Sequence, residues 1–339
     1  MDPKPLASRL EGKKVGKWSV LKRREKQPDS SGFFSTGYSV VDADGNEGFL
    51  KAFNYLYAFS GGAGSSVDVM KAMVDNFTYE RNLLEFCSNH KMRRVVTAID
   101  SGEYSEQGEV FSVPYLVFEV ATSDLKSHPR LTNPGLKWKL TAFHGALVGL
   151  GQLHRKRIAH QDIKPSNILV FGLDVSKISD LGCATQQGNS SRFEVEGPAG
   201  DLRYAPVELL YRHCSLDWDT RRFGADFFMM GGLLTYLVTG INFLGLIYSH
   251  LHVDQRHDHF GGSFSQALPF LQNAYDLSLE QVKQAIPAEI GGDLIIVIGQ
   301  LNHPDPEKRG NPQRFPGDLP RFSLERYISV IDRISKKIA

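Results

Sequence analysis

A short polar stretch between two apolar runs carries the residues of this sequence best suited to chemistry. In RIAHQDIKPSNILVFG, residues 157–172, four polar side chains follow at close spacing: His160, Asp162, Lys164 and Asn167. Five residues from Asp162 to Asn167 do not place both on one helix face, so the spacing predicts a loop on which these side chains converge. Eighteen residues after Asp162, Asp180 opens a DLG tripeptide.

These side chains are the parts that phosphoryl transfer requires. Asn167 and Asp180 offer hard oxygen ligands, which suit a Mg²⁺ ion shared with phosphates. Asp162 can orient a hydroxyl group and accept its proton, and Lys164 can neutralise charge on a phosphoryl group. Because this reaction depends on positioning and electrostatics more than on covalent chemistry, the stretch predicts a phosphotransferase centre.

The hydrophobic periodicity predicts two regions of different class that must position these groups. Three strands, WSVLKRR, TGYSVVDADG and NEGFLKAF, with a hairpin turn at Asp44-Gly45, precede a helix over 68–88 and the strands RRVVTAID and PYLVFEV. From 124 onwards the pattern is mostly helical, beginning with a long helix over 136–156. We therefore predict an α+β chain with a basic arm over 1–17, a β-rich small lobe over 18–120 and a larger, mainly α-helical lobe over 121–339.

Composition narrows the class of protein. The chain has 339 residues, 41% hydrophobic and 23% charged, with a formal net charge of +1, which gives no global field for nucleic acid or a membrane. Its three cysteines form no CxxC pair, which favours free thiols in a reducing, cytoplasmic compartment, and no secretory signal is predicted. The first 26 residues hold nine Lys or Arg against three Asp or Glu, which predicts a solvated arm that could recruit an acidic partner.

One segment imitates a membrane span. Residues 227–248 carry no formal charge over 22 positions, a length sufficient to cross a bilayer. Four glycines interrupt the segment, and Asp226 directly precedes it. A buried core helix that ends near Thr239–Gly240 fits the same residues, and it is the reading that the motifs below favour.

The motif HQDIKPSN followed by DLG resembles the HRDxKxxN and DFG pair of eukaryotic-type protein kinases, and the divergent loop and DLG point to prokaryotic members of that family. The resemblance implies a bilobal kinase fold, in which Asp162 is the catalytic base and Lys164 contacts phosphate. It further implies that Asn167 and Asp180 bind Mg²⁺, while His160 and Leu181 pack beneath them. KPSN after the aspartate is typical of Ser/Thr kinases.

Three downstream segments extend the resemblance over roughly residues 18–315. GDLRYAPVELL resembles the end of an activation segment, with Glu208 as its terminal glutamate. FGADFFMMGGLL resembles the start of the buried helix of the large lobe, with Asp226 as its aspartate. LNHPDPEKRG resembles the segment that supplies the partner of Glu208, here Arg309, and implies a buried ion pair.

The small lobe must supply a lysine for the nucleotide phosphates and a glutamate to hold it. Lys51 in GFLKAF stands where the family has VAIK, and Glu80 lies on the following predicted helix, with Leu84 one turn later. On the same resemblance Glu119, near the end of the strand PYLVFEV, and the glycines Gly32 and Gly37 are assigned to nucleotide binding.

The sequence departs from the family at several positions. The expected GxGxxGxV loop is reduced to Gly32 and Gly37, although Ser31, Ser35 and backbone N–H groups can still cover phosphates. Phe49 replaces the small alanine that packs on adenine in the family, which leaves the nucleotide preference open. Asp201 replaces a threonine and is expected to accept a hydrogen bond from Lys164.

Gln161 replaces the arginine of HRD. It carries no charge that a phosphate must compensate, and its amide can hydrogen-bond neutral groups of the activation segment. We therefore expect activity without phosphorylation of the hydroxyl groups in that segment: Thr185, Ser190 and Ser191.

These observations predict an ATP- and Mg²⁺-dependent protein Ser/Thr kinase that acts on protein substrates, itself among them, with no nucleic acid or membrane partner. Two alternatives stay open, a small-molecule phosphotransferase and a catalytically inactive nucleotide-binding scaffold. A histidine-rich stretch also permits a zinc site, although a solvated loop is the simpler reading; its members are His250, His252, His257 and His259.

Overall fold

The structure, a computed structural model, describes residues 5–25, 35–54, 66–128, 132–189, 194, 197–313 and 315–338. The chain forms two compact units, one of residues 1–92 and 96–121 and the other of residues 93–95 and 122–339. The first is β-rich and the second mainly helical, so the predicted α+β class is confirmed.

The first unit is built on a six-stranded antiparallel sheet with the order β1-β2-β3-β4-β6-β5. Its strands are β1 (Lys14–Val15), β2 (Trp18–Arg23), β3 (Ser35–Val41), β4 (Glu47–Phe53), β5 (Ala98–Tyr104) and β6 (Val113–Phe118), and its helix is α1 (Ser66–Asn89). Alternate residues of β3 and β4 are buried, among them Tyr38, Val40 and Leu50, because successive side chains point to opposite faces of a strand. Lys51 therefore lies on the face opposite to Leu50.

The prediction of a solvated basic arm is wrong for the described part of residues 1–17. Leu6, Ala7 and Leu10 are buried in the core of the sheet, and Val15 on β1 pairs with Trp18 on β2. The hydroxyl of Tyr38 donates to the Ala7 carbonyl at 2.8 Å. The charge count missed this because the apolar residues that anchor the segment stand between its lysines and arginines.

The second unit is mainly helical. Its helices are α2 (Leu136–His154), α3 (Val207–Leu210), α4 (Trp218–Thr239), α5 (Phe243–Ser249), α6 (Phe264–Ala285), α7 (Ala288–Leu301) and α8 (Glu325–Lys337). Its short strands form a sheet of order β10-β9-β7 and a pair of β11 with β8: β7 (Ser123–Asp124), β8 (Ile158–Ala159), β9 (Ile168–Phe171), β10 (Val175–Ile178) and β11 (Thr185–Gln186).

The apolar segment that imitates a membrane span begins inside helix α4. Most residues of α4 are buried within the protein, and the helix ends at Gly240, whose φ of 83° suits glycine. This confirms the predicted core helix and its end. In the described part of the chain, no single helix is long and apolar enough to cross a membrane; the pair α4 and α5, bent by 80°, passes only on length and composition.

The first residues of the predicted strand RRVVTAID do not join the large sheet, because β5 begins only at Ala98. Residues 93–95 belong instead to the second unit, where the Arg94 carbonyl accepts a hydrogen bond from the Ile178 amide at 2.9 Å. The predicted loop over 60–68 falls largely on residues 55–65, outside the described residues.

Candidate active site

A β-hairpin brings Asn167 and Asp180 to the same end of the second unit. Strand β9 begins directly after Asn167, and strand β10 ends two residues before Asp180, with Ile168 opposite Ile178 in the register. The amide and the hydroxyl of Ser179 both donate to the Asn167 carbonyl, at 2.8 and 3.0 Å. Residues that are 13 apart in the sequence are thereby held next to one another.

Asp162 lies at the centre of a buried hydrogen-bonded group. Its Oδ2 accepts from Lys164 Nζ at 2.8 Å and from Asn167 Nδ2 at 3.0 Å, and its Oδ1 accepts from the Asp201 amide at 2.9 Å. Asp162, Lys164 and Asn167 are each at most 6% exposed, whereas Asp201 is partly exposed. The predicted convergence of Asp162, Lys164 and Asn167 is therefore present, and hydrogen bonds to charged groups fix the orientation of the carboxylate.

Gly200 permits the close approach of the downstream segment to Asp162. A Cβ atom at this position would lie 2.5 Å from Asp162 Oδ1, so any other residue would push the Asp201 amide away from the carboxylate. Asp201 Oδ2 is 3.9 Å from Lys164 Nζ, an ion-pair distance rather than the expected hydrogen bond. Burial raises the pKa of Asp201, but hydrogen bonds with Arg203 and the charge of Lys164 lower it by more. The pKa of Asp201 therefore lies below its ordinary value.

A buried carboxylate on helix α4 holds the backbone of the loop. Asp226, fully buried, accepts from the amides of His160 and Gln161 at 2.9 and 2.8 Å and contacts His154 Nε2 at 2.8 Å. The His160 ring accepts from the Asp162 amide through Nδ1, at 3.2 Å, so its Nε2 donates to the Ser179 carbonyl at 2.9 Å. Together these bonds tie α4, the loop and the DLG segment into one arrangement.

The Gln161 side chain bonds neutral groups of the activation segment, as predicted. Its Nε2 donates to the Cys183 carbonyl at 2.9 Å and to Thr185 Oγ1 at 3.1 Å. Thr185 is fully buried and lies on β11, paired with Ala159. Its hydroxyl is therefore not presented for phosphorylation. Ser190 and Ser191 lie outside the described residues.

Asp180 lies at the start of the 3₁₀ turn Leu181–Cys183, with an exposed side chain and a left-handed backbone of φ 62° and ψ 76°. Aspartate adopts this conformation more readily than most residues, but at some cost, which is typical of functional positions. Leu181, next to it, is fully buried, as predicted. Asp180 thus combines a left-handed backbone with a carboxylate that is exposed to solvent.

The donor set of Asn167 and Asp180 fits Mg²⁺. The Asn167 side chain donates through its nitrogen to the carbonyl and to Oδ2 of Asp162, so the amide oxygen keeps its capacity as a ligand. Among the described residues, no group of three or more His, Cys, Asp or Glu could hold a metal. Magnesium does not need such a cluster, because it is commonly bound by one or two protein oxygens with waters and phosphates completing its shell.

In the first unit, Lys51 and Glu80 form the predicted ion pair. Lys51 Nζ on β4 lies 2.8 Å from Glu80 Oε1 on α1, across 29 residues of sequence. Glu80 is 4% exposed and Leu84, one turn further, is 1% exposed, so this face of the helix is packed. A buried carboxylate needs such a partner, and the pair therefore sets the orientation of the Lys51 ammonium group.

The remaining nucleotide-site candidates have uneven support. Gly37 is the cross-strand neighbour of Lys51, and a Cβ atom there would lie 2.7 Å from the Phe49 ring, so Phe49 covers this glycine. Glu119 is half-buried directly after β6. Gly32 lies outside the described residues, so the reduced glycine loop stays a prediction.

Glu208 and Arg309 form the predicted buried pair. Arg309 Nη1 and Nη2 lie 2.7 Å from the two carboxylate oxygens of Glu208, and both residues are at most 4% exposed. Arg309 also donates to the carbonyls of His303 and Gly224, at 2.9 and 3.0 Å. Its guanidinium group thereby fastens helix α3 to helix α4 and to the loop that precedes Arg309.

The histidine-rich stretch does not gather into a metal site. His250 Nε2 contacts Gln281 Oε1 at 3.0 Å, and the His257 ring contacts the hydroxyl of Tyr248. His252 is the cap of a 3₁₀ turn, Val253–Gln255. The rings of His252 and His257 thus make short-range hydrogen bonds, and His250 contacts a side chain of helix α6.

Sequence reasoning missed three residues that the fold adds to the site. His154 contacts Asp226, while Arg222 and Glu194 approach the loop from helix α4 and from the activation segment. No spacing signal marks them, because their partners are 24 to 72 residues away in sequence. A charged pair of arginines ahead of Asp226 was the one available hint.

The comparisons with known proteins agree with this geometry. The family model described as "Protein kinase domain" matches residues 65–315. Serine/threonine-protein kinase par-4 of Caenorhabditis elegans is 27% identical over 55% of this chain and 33% of its own length. A probable serine/threonine-protein kinase PknB of Bifidobacterium longum is 28% identical over 43% of this chain and 21% of its own length.

A probable cyclin-dependent serine/threonine-protein kinase of Dictyostelium discoideum is 32% identical over 37% of this chain and 8% of its own length. The chain thus spans a third or less of the length of these relatives. The matched range contains Glu80, the loop around Asp162, the DLG segment and the Glu208–Arg309 pair, whereas Lys51 lies ahead of it. By this match over most of its length, the chain belongs to the protein kinase domain family.

Proposed function

We propose that this protein is an active serine/threonine kinase, which transfers the γ-phosphoryl group of ATP to a hydroxyl of a protein substrate. The proposal depends above all on the arrangement around Asp162. An ionised carboxylate has about four acceptor positions. Three are taken, two on Oδ2 and one on Oδ1, so one position on Oδ1 is left for the hydrogen of an incoming hydroxyl.

Each residue of the site then has its own role in phosphoryl transfer. Asp162 orients the acceptor hydroxyl and takes its proton as the oxygen attacks the γ-phosphorus and the bond from that phosphorus to the ADP oxygen breaks. Lys164, whose Nζ lies 2.8 Å from Asp162 Oδ2, offsets negative charge on the phosphoryl group. Asn167 and Asp180 would hold Mg²⁺, which supplies charge neutralisation on the phosphates when it is bound. Lys51, held by Glu80, would contact the phosphates of the nucleotide.

The proposed preference for serine and threonine depends on Lys164 and on the names of the relatives. A lysine two residues after the catalytic aspartate is typical of kinases that act on aliphatic hydroxyls, and all three relatives above carry serine/threonine in their names. We also propose that the protein phosphorylates protein substrates, itself among them, and that it acts in the cytoplasm. The three cysteines, all free thiols, are compatible with a reducing compartment.

Radiolabelled phosphate transfer tests the function directly. The purified protein is incubated with γ-labelled ATP and Mg²⁺, alone, with a generic basic protein and with a panel of small hydroxylated molecules. We expect label on protein serine and threonine and its loss on chelation with EDTA. Label on small molecules alone would establish the small-molecule phosphotransferase instead, and nucleotide binding without transfer would establish the inactive scaffold.

Removing the Lys51 ammonium group should lower activity strongly without unfolding the protein. We expect Lys51→Met to reduce kcat by roughly a hundredfold, the scale seen when one charge-stabilising donor is lost from an active site. Lys22→Met is the matched control, because Lys22 is an exposed lysine on strand β2 of the same sheet. Steady-state kinetics and melting curves for both variants measure the effect. Equal kcat values for Lys51→Met and Lys22→Met would show that Lys51 does not belong to the active site.

A further inference from the structure

Glu194 of the activation segment lies against the first turns of helix α4. Its Oε2 is 3.5 Å from Arg222 Nη2 and 3.6 Å from Arg221 Nη2, and its Oε1 accepts a hydrogen bond from Trp218 Nε1 at 3.2 Å. The carboxylate is therefore contacted by two cations and an indole N–H, all from the same helix. Glu194 is itself partly exposed, at 28% for its side chain.

Arg222 is a buried cation that reaches from Glu194 to the catalytic loop. Arg222 is 1% exposed, and its Nη1 donates to Gln161 Oε1. Burial lowers the pKa of this guanidinium group, while the charge of Glu194 raises it. An arginine stays charged in a protein, so an opposite charge at this position stabilises it.

Gln161 completes the connection. It directly precedes Asp162, and its Nε2 donates to the Cys183 carbonyl and to Thr185 Oγ1. The oxygen of its amide faces Arg222, so the same side chain is held from both ends. A continuous path therefore runs from Glu194 through Arg222 and Gln161 to the start of the activation segment and to the catalytic loop.

We infer that Glu194 acts as a permanent substitute for an activating phosphate, with Arg222 as the positioning residue that reads it. A phosphate added opposite an arginine cluster orders a loop through charge-assisted hydrogen bonds. Here the Glu194 carboxylate already lies opposite two arginines. The cation that binds it comes from helix α4 and not from position 161, where glutamine replaces the arginine of HRD. Activity therefore requires phosphorylation of this segment neither by an upstream kinase nor by the protein itself. This inference rests on the proposed phosphotransfer function.

Charge removal at Glu194 is the first arm of the test. Glu194→Gln keeps the size and the acceptor for Trp218 but removes the charge. We expect kcat to fall about tenfold, which corresponds to about 1.4 kcal/mol of barrier, with an unchanged melting temperature and KM for nucleotide. Glu307→Gln is the matched control, because Glu307 forms an exposed pair with Arg321 in the same unit, and its kcat should stay within about twofold of the parent.

A double-mutant cycle shows whether Arg222 reads the charge. In an Arg222→Met background, Glu194→Gln should lower kcat by less than about twofold, because its partner Arg222 is already absent. Exchanging Ser190 and Ser191 for alanine, or treating the parent with phosphatase, should change kcat by less than about threefold. A tenfold loss of kcat on adding Glu194→Gln to Arg222→Met would overturn the inference, as would a large loss of kcat after phosphatase treatment.

Amide hydrogen exchange separates this inference from the proposed function. Exchange over residues 183–189 should quicken in Glu194→Gln and in Arg222→Met but not in Glu307→Gln, whether or not a substrate is known. If the parent transfers no phosphoryl group but the exchange pattern holds, the proposed function fails and the positioning role stands. Unaltered exchange in both variants, in an active enzyme, would disprove the positioning role alone.

Discussion

Replacing Asp162 with asparagine should lower the rate of phosphoryl transfer by about a hundredfold to ten-thousandfold, the usual contribution of a general base. The amide cannot accept the proton of the attacking hydroxyl. It also sets an NH₂ group against Lys164 Nζ, Asn167 Nδ2 or the Asp201 amide, all of which are donors. Single-turnover transfer from labelled ATP measures the loss.

The matched variant Asp180→Asn should fail by a different route. Asp180 is an exposed carboxylate assigned to Mg²⁺, and an amide oxygen is a weaker, uncharged ligand. We expect its affinity for the magnesium nucleotide to fall clearly, whereas that of Asp162→Asn stays close to the parent. Titration of a fluorescent nucleotide at several Mg²⁺ concentrations distinguishes them. Equal losses of affinity in the two variants would refute the separate roles of base and metal ligand.

Replacing Arg309 with methionine should lower the free energy of unfolding by about 3–5 kcal/mol, the usual cost of breaking a buried ion pair from one side. The variant leaves Glu208, which is 4% exposed, as an uncompensated buried carboxylate. It also removes the donors to the carbonyls of His303 and Gly224. Urea denaturation followed by circular dichroism measures the change.

Two further variants isolate the buried charge as the cause. Glu208→Leu combined with Arg309→Met should be less destabilising than Arg309→Met alone, because the double variant leaves no stranded charge. Arg333→Met removes a cation from an exposed pair with Asp293, 3.1 Å apart, and should cost less than about 1 kcal/mol. A midpoint for Arg309→Met equal to that of Arg333→Met would show that the Glu208 pair contributes nothing to stability.

The local parts of the site could be predicted from the sequence because they depend on short-range patterns. The 2.0-residue period of β4 placed Lys51 opposite to the buried Leu50, and the helical period of α1 placed Glu80 above Leu84. The five-residue spacing from Asp162 to Asn167 predicted a converging loop, and the two residues do bond one another. Even the pairing of Glu208 with Arg309, 101 residues apart, followed from motif resemblance.

Charge counting misled where burial decides the outcome. The first 17 residues looked like a solvated arm because their lysines and arginines outnumber their acidic residues, yet Leu6, Leu10 and Val15 anchor the described part to the sheet core. Thr185 lies in a polar segment of the sequence, but its pairing with Ala159 buries it completely. Which of several polar and apolar neighbours faces inwards depends on packing against distant strands, and composition does not record that.

The sequence by itself determined the chemistry of this protein: an aspartate, a lysine and an asparagine in one loop, a second aspartate before Leu181, and the kinase motifs around them. Only the tertiary structure decided how the loop is held. It brought Asp226, His154 and Arg222 beneath the loop and set Glu194 against Arg222. The physical reason is range: strand and helix periods act over a few residues, whereas a buried ion needs a partner wherever the fold supplies one.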